Sequence, residues 1–154
     1  MHLSEILASD SIVPSLKASS KKQALQELSQ TASQVTGLPA RDIFEVLLQR
    51  ERLGSTGLGH GIAIPHGKMA SLDRLHGVFA RLNQPIDFDA VDGQPVDLVF
   101  LLLAPESAGA DHLKALAKVS RLLRDGQTVS KLRGSTNAAA IFSILTEPAA
   151  SHAA

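Results

Sequence analysis

The stretch VDLVFLLLA, residues 96–104, decides the fold of this chain. Apart from Asp97 every residue in it is apolar, and most are branched aliphatics. Such a run is typical of a strand that is buried on both faces of a sheet. Pro105 follows at once and predicts where the strand ends. We therefore take this stretch as the central strand.

Working outward, apolar runs predict further strands. Residues 75–82 are apolar except for His76 and Arg81 and indicate a second buried strand, with a turn after it at Asn83–Pro85. Residues 62–64 form a short apolar strand that Pro65 ends. A brief extended piece is expected at residues 12–14, after a helical turn near residues 3–8.

Helical spacing of apolar residues predicts five helices. A capping box at Ser20 and Gln23 begins the first, Gly37 ends it, and Asp111 is expected to cap the third. Helices that alternate with apolar strands indicate an α/β layered fold without a second domain. The predicted helices cover residues 20–36, 40–52, 112–124, 128–132 and 138–145.

The amino-acid composition argues against several classes of function. The 154 residues carry 15 basic and 15 acidic side chains, so no net charge favours nucleic acid or a membrane surface. With no Trp or Tyr, stacking platforms for bases are not expected. The absence of Cys excludes disulfides and thiolate chemistry and fits a reducing cytoplasm. We expect no signal peptide, no membrane insertion and no nucleic-acid partner.

Two histidines follow predicted strands. His66 comes directly after the strand that Pro65 ends, and His112 follows the central strand after a short loop. Because ligands gather at the carboxyl ends of strands in open α/β sheets, the two could share one rim. Pro65 and Gly67 leave little bulk around His66, which suits an accessible imidazole nucleophile. From these residues alone, a purely structural histidine is an equal alternative.

The segment GSTGLGHGIAIPHGK, residues 54–68, is rich in glycine but matches no standard nucleotide loop. It is either a tight connection or a loop whose amides face an anion. Arg50 lies on or beside the apolar face of its helix and needs an acceptor, which is a carboxylate, a loop carbonyl or an active-site loop. Ser55 and Thr56 either bond locally or donate to a phosphoryl oxygen.

A metal site is the weaker reading of the histidines. No spacing of the H-E-x-x-H type is present, so we expect no metal and no other cofactor. A metal-dependent hydrolase nevertheless stays open if several histidines converge. The ones that could do so are His60, His66, His76 and His112.

The segment RERLGSTGLGHGIAIPHGK, residues 50–68, resembles the phosphotransferase-system (PTS) enzyme IIA family of the mannitol and fructose type, and its nitrogen-regulatory branch in particular. Residues 96–123 are similar to the family's strand, loop and helix with its second histidine. The resemblance implies a single-domain layered sandwich, in which helices flank a mixed, mostly parallel sheet. It implies a type-2 IIA domain at residues 1–147, and the Ala-rich residues 148–154 are expected to be a frayed tail.

The resemblance also implies the site and its chemistry. His66 matches the histidine that is phosphorylated, His112 the one that contacts the phosphoryl group, and Arg50 the active-site arginine. Ser55 and Thr56 match the loop around the site and are expected to bind phosphate. The implied protein is a cytoplasmic phosphotransferase without metal or cofactor. It accepts phosphate from a phosphorylated histidine phosphocarrier protein and regulates target proteins by binding them.

One position departs from the family pattern, and two rival functions stay open. His60 occupies a position where related sequences commonly carry Asn, and it could add a titratable group near the site. The chain could instead be a sugar-transport IIA that donates phosphate to a IIB protein. It could also be a binding module that keeps the fold without the chemistry.

Overall fold

The computed structural model describes residues 2–147, a single domain in which helices flank one sheet. In that range the sheet has six strands: β1 (Ile12–Leu16), β2 (Gly57–Gly59), β3 (Ile62–Ala63), β4 (His66–Met69), β5 (His76–Ile86) and β6 (Val96–Pro105). The helices are α1 (Lys21–Thr36), α2 (Ala40–Arg52), α3 (Ala110–Leu122), α4 (Gly126–Arg133) and α5 (Ala138–Thr146). Two 3₁₀ turns, Leu3–Glu5 and Ser9–Ser11, precede β1.

Strand β6 is the centre of the sheet, as the sequence predicts. It pairs with β5 in antiparallel register on one side, and with β3 and then β4 in parallel register on the other. Strand β1 runs parallel to β5, and β2 runs antiparallel to β3. Three of these five pairings are parallel. The prediction of a mixed, mostly parallel sheet is therefore confirmed.

Successive residues of β6 enter two separate cores, because side chains alternate across a strand. Leu98, Phe100 and Leu102 pack into the core that α3, α4 and α5 cover. Val99 and Leu101 pack into the core beneath α1 and α2. This burial on both faces explains the unbroken apolar run, and it confirms the layered α/β sandwich.

Two local predictions are wrong. Asn83–Pro85 is not a turn, because β5 continues through it to Ile86 with its side chains exposed. The register with β6 shifts between Arg81 and Ile86, and such an irregular stretch tolerates a proline that cannot donate to the ladder. Asp111 does not cap α3. Gly109 holds that position with φ +49°, and Asp111 lies in the first turn, where a carboxylate still favours the helix dipole.

Other termini are closer to prediction. Ser20 caps α1 by accepting a hydrogen bond from Gln23 N–H, but the Gln23 side chain accepts from Ser19 instead of Ser20. Gly37 ends the helix in the left-handed conformation with φ +79°. The predicted frayed tail, residues 148–154, lies outside the described residues. Within the described range, no helix combines the length and apolar character needed to cross a membrane.

Candidate active site

His66 begins a strand, whereas the sequence placed it just after one. Strands β3 and β4 are two pieces of a single path beside β6, interrupted at Ile64 and Pro65. The carbonyl of Pro65 still accepts a hydrogen bond from Leu102 N–H at 3.0 Å, so the chain keeps following β6 after the proline. The predicted end of the strand before His66 is confirmed, because β3 ends at Ala63, but the sequence missed that a new strand, β4, starts at His66.

Both ring nitrogens of His66 contact protein groups. Nδ1 lies 2.9 Å from the carbonyl oxygen of Ile64, and Arg50 Nε donates to Nε2 at 3.3 Å. Because a guanidinium can only donate, Nε2 must accept, and the ring proton is on Nδ1. These contacts thus select the tautomer that carries its proton on Nδ1 and leaves Nε2 unprotonated.

The surroundings of His66 also favour its neutral form. Burial lowers the pKa of its imidazole below the ordinary value, and the positive charge of Arg50 lowers that pKa further. The hydrogen bond to the Ile64 carbonyl and the charge of Glu51 act in the opposite direction. The result is an imidazole that is neutral at pH 7, as a nucleophile requires.

Arg50 contacts two acceptors from the last turn of α2. Besides His66 Nε2, it donates from Nη1 to the carbonyl oxygen of Gly54 at 2.9 Å. Of the acceptors predicted from the sequence, the loop carbonyl is found, whereas the bond to the His66 ring was not predicted. Arg50 joins the end of α2, the following loop and the His66 ring.

The structure brings His112 beside His66. The two ring centroids are 5.6 Å apart and the rings meet at 72°. His112 is 5% exposed, and its Nε2 is buried without a hydrogen-bond partner among residues 2–147. Burial lowers the pKa of His112, and the nearby His66 and Lys68 contribute to the same direction. An unpartnered buried ring nitrogen in a cavity is unusual and indicates room for a ligand.

His66 and His112 line one cavity of about 900 Å³ between α2, β4 and α3. Arg50, Arg52 and Lys68 contribute positive charge to its walls. Two leucines on its border are exposed to an unusual degree: Leu53 is 85% exposed and Leu113 is 69% exposed. The cavity thus combines two neutral imidazoles, a basic wall and an apolar border.

Ser55 and Thr56 are close in sequence to Arg50, but their hydroxyls are used within the protein. Ser55 Oγ donates to the carbonyl oxygen of Phe88 at 2.7 Å, and Thr56 Oγ1 donates to the Glu51 carboxylate at 2.5 Å. Neither residue lines the cavity that contains His66. Their placement supports a role in building the loop, as local bonding by turn hydroxyls would predict.

His60 lies away from this cavity. It lines a second cavity of about 740 Å³ together with Arg133, whose Nη2 donates to the His60 carbonyl oxygen. The backbone of His60 has φ +57°, a left-handed conformation that Asn adopts more readily than most residues. This conformation would suit the Asn that the family resemblance leads us to expect at position 60. No three His, Asp or Glu side chains in residues 2–147 converge as metal ligands.

Sequence reasoning missed Glu51. The buried residues of α2 are Ile43, Leu47 and Glu51, so a carboxylate occupies the third position of an apolar stripe with four-residue spacing. A charged residue on such a stripe must find partners, because an unpaired buried carboxylate is costly. That spacing could have identified Glu51 from the sequence.

The family model described as "Phosphoenolpyruvate-dependent sugar phosphotransferase system, EIIA 2" matches residues 5–147. The chain belongs to this family. The match covers β4, α2 and α3, and therefore every element that lines the cavity around His66.

Among the relatives of this EIIA 2 family member are several nitrogen regulatory proteins. One from Bradyrhizobium diazoefficiens is 59% identical over 153 residues, which is 99% of this chain and 100% of that protein. One from Escherichia coli strain K12 is 41% identical over 96% of this chain and 91% of its own length. The crystal structure of nitrogen regulatory protein IIA-Ntr from Neisseria meningitidis superposes with a TM-score of 0.89 at 40% identity, covering 94% of this chain and 99% of that one.

Transport proteins are similar over the same residues. The PTS fructose-specific EIIABC component of Bacillus subtilis is 33% identical over 96% of this chain, which corresponds to only 23% of that longer protein. The crystal structure of mannitol IIA from Escherichia coli shares the fold, with a TM-score of 0.75 at 22% identity over 90% of this chain and 98% of that one. The two nitrogen regulatory proteins named above are more similar in sequence to this chain than the EIIABC component is, and they match it over nearly their whole length.

Proposed function

We propose that this PTS phosphorelay component accepts a phosphoryl group on His66 Nε2 from a phosphorylated histidine phosphocarrier protein, and then regulates target proteins by binding them. The observation that carries the proposal is the fixed tautomer of His66. Its Nδ1 proton is held by the Ile64 carbonyl, and its Nε2 lone pair belongs to a neutral ring on the wall of an open cavity. Membership of the EIIA 2 family supports phosphoryl transfer as the reaction.

The proposed step is an in-line displacement at phosphorus. The Nε2 lone pair of His66 forms the new P–N bond while the P–N bond to the carrier histidine breaks, and the carrier imidazole leaves with that electron pair. The Nδ1 proton stays on His66 and keeps its hydrogen bond to Ile64, so the positive charge that develops on the ring is partly offset by a carbonyl. Donor and product are both phosphoramidates, which makes the transfer close to reversible.

Groups around His66 are suited to stabilise the transferred phosphoryl group. His112 Nε2 is buried beside His66 without a partner, and it can donate to an equatorial oxygen in the tautomer that carries its proton on Nε2. Arg50 and Lys68 add positive charge on the same cavity wall. Such preorganised donors supply most of the catalysis in phosphoryl transfer, and no metal or cofactor is part of the proposal.

The exposed leucines support a protein as the phosphoryl donor. Leu53 and Leu113 stand on opposite elements, one directly after α2 and one in α3, with the cavity between them. Exposed apolar side chains that border a reactive group are typical of protein docking surfaces. We propose that the carrier protein packs on these leucines while its phosphohistidine enters the cavity.

We infer that the output is regulatory, because the nitrogen regulatory proteins match this chain over nearly its whole length. A phosphate on His66 adds roughly two negative charges to an exposed cavity, which changes the surface presented to a target protein. The proposal places the chain in the cytoplasm, as the family resemblance implies. Ser55 and Thr56 are assigned to holding the loop, because both hydroxyls already have acceptors.

A transport role is the second candidate. It is favoured by the similarity to the fructose-specific EIIABC component, and by the fold shared with mannitol IIA, which has been solved in a complex with phosphorylated IIB. If this chain feeds a IIB protein, phosphate must leave His66 rapidly when that protein is added.

The test is to incubate the chain with enzyme I, a histidine phosphocarrier and phosphoenolpyruvate, and to locate acid-labile phosphate by mass spectrometry. We expect one phosphate, on His66, and none in the variant His66→Ala with an unchanged circular dichroism spectrum. The matched control His60→Asn, in the second cavity, should be labelled normally. No label from a carrier shown to be phosphorylated would favour a binding module, and rapid loss of label to IIB would favour transport.

A further inference from the structure

Glu51 is a buried carboxylate next to Arg50 in sequence, and its side chain contacts Thr56 and Lys21. Its side chain is 3% exposed. Oε1 accepts from Thr56 N–H at 3.0 Å and lies 2.9 Å from Lys21 Nζ, while Oε2 accepts from Thr56 Oγ1 at 2.5 Å. A carboxylate is buried at this cost only where several charge-assisted bonds compensate it. Glu51, which lies in α2, therefore holds the loop between α2 and β2 through Thr56 and links it to α1 through Lys21.

One chain of contacts leads from this loop to Nε2 of His66. The loop starts where Gly54 N–H donates to the Glu51 carbonyl at 3.1 Å, and it is anchored at its other end by the Glu51 carboxylate on Thr56. Between these two anchors, the carbonyl of Gly54 accepts from Arg50 Nη1 at 2.9 Å. The same guanidinium then donates from Nε to His66. The direction of the Arg50 side chain thus depends on where Glu51 holds the loop.

A second chain of contacts leads to Nδ1 of His66. The carbonyl of Thr56 accepts from Ile64 N–H at 3.0 Å, which joins the loop to the interruption between β3 and β4. The carbonyl of the same residue, Ile64, holds the His66 Nδ1 proton at 2.9 Å. Thr56 is thus bound to Glu51 through its side chain and its N–H, and to the peptide that orients His66 through its carbonyl.

We propose that Glu51 is a positioning residue for His66: through Thr56 and the loop that holds Arg50, it sets the contacts at both ring nitrogens and thereby fixes the Nδ1–H tautomer. Its consequence for phosphoryl transfer rests on the function proposed above, but its consequence for the tautomer does not. Glu51 never touches the phosphoryl group in this role.

Lys21 explains why a carboxylate, and not an amide, occupies position 51. The lysine reaches Glu51 from the first turn of α1, and its ammonium lies 4.8 Å from the centroid of the Phe88 ring. Its charge is held by the Glu51 carboxylate, with Asp89 at 3.8 Å on the exposed side. A glutamine carries no charge and could not balance this cation, so Lys21 would lose its nearer counter-charge.

The experiment measures the His66 tautomer and the transfer kinetics in matched variants. Thr56→Val removes the hydroxyl bond to Glu51, Glu51→Gln removes the carboxylate charge, and Thr56→Ser keeps the hydroxyl. Ser29→Ala removes a buried hydroxyl that donates to the Leu25 carbonyl within α1. The ¹⁵N chemical shifts of the imidazole nitrogens report the tautomer in the unphosphorylated protein. Phosphoryl transfer from the phosphorylated carrier supplies kcat and KM.

In the parent, Thr56→Ser and Ser29→Ala, we expect a single Nδ1–H tautomer. In Thr56→Val and Glu51→Gln we expect a mixture of tautomers and a fall in kcat of roughly tenfold or more with little change in KM, because misplacement of a reacting group acts on the chemical step. Ser29→Ala separates this effect from a general loss of stability.

The proposal is wrong if folded Thr56→Val keeps the single tautomer and the parent kcat. Thr56→Val decides the question if Glu51→Gln does not fold, since it preserves shape and removes one hydroxyl. A tautomer that shifts as expected in a protein that never accepts phosphate would refute the proposed function and leave the positioning role intact.

Discussion

We propose that the ring of His112 assists His66 without reacting itself. It stands 5.6 Å from the His66 ring, centroid to centroid, and its Nε2 is buried without a partner in the described part of the chain. We expect His112→Ala to slow phosphoryl transfer by roughly 100-fold, the usual effect of losing one preorganised donor, while leaving His66 able to be labelled. Quenched-flow kinetics with the phosphorylated carrier measures this rate.

His60→Asn is the control for that measurement, since it changes a histidine that lines a different cavity. It should transfer at the parent rate and gain stability, because Asn adopts a positive φ more readily than His. An unchanged rate in His112→Ala would show that its proximity to His66 has no catalytic meaning.

Some side-chain contacts of the candidate site could be predicted from the sequence, and others could not. The prediction that His66 and His112 lie close together is confirmed by rings 5.6 Å apart, although His66 starts β4 and does not follow a strand at its carboxyl end. The acceptor of Ser55 could not be predicted, because Phe88 lies 33 residues away along the chain. The acceptor of Thr56 is the nearby Glu51. Glu51 was predictable from its place on the apolar stripe of α2.

At the scale of elements, the site depends on the close approach of α2 to β4. A Cβ on Gly67 would lie 2.4 Å from Val46 Cγ1 of that helix. We expect Gly67→Ala to destabilise the protein by about 1–3 kcal/mol, as overpacking does, and to reduce phosphoryl transfer because α2 carries Arg50. Urea denaturation measures the free energy of unfolding.

A compensating variant provides the control. Val46→Ala combined with Gly67→Ala removes the obstructing methyl groups, so the pair should recover part of both the stability and the transfer rate. If Gly67→Ala alone is as stable and active as the parent, the helix and strand do not need this distance.

The sequence predicted most helices and strands, but it did not predict which strands continue beyond a proline. The sequence predicted a strand end at Pro65 and a turn that includes Pro85. β3 does end before Pro65, but β4 follows it along β6, which keeps a bond to the Pro65 carbonyl, and β5 runs on through Pro85. The reason is physical: proline removes only one donor, and a neighbouring strand can still use its carbonyl. Such continuity depends on partners that are distant in the sequence.

At the scale of the whole molecule, several histidines link stability to pH. Burial is the largest cause that lowers the pKa of His66, His76 and His112 below the ordinary value of 6.5. Below that value the unfolded chain binds more protons than the folded chain. The stability from these groups is therefore complete above about pH 6.5 and is lost as the pH falls through the lower folded pKa values.

We expect urea denaturation to give a smaller free energy of unfolding at about pH 5.5 than at about pH 7.5. The double variant His66→Gln with His112→Gln removes two of the titrating groups and should show a weaker dependence on pH. A stability that rises on acidification over this range would contradict the stated direction of the pKa shifts.

The bond from Arg50 to His66 also restricts when His66 can react. A lone pair that accepts an N–H cannot at the same moment bond to phosphorus, so Arg50 Nε must leave Nε2 before transfer begins. The contacts that a docked protein makes around the cavity can supply energy for this release, and a small phosphate donor from solution makes fewer of them. If the proposed function is correct, the unphosphorylated protein therefore resists phosphorylation by small donors even when no carrier protein is bound.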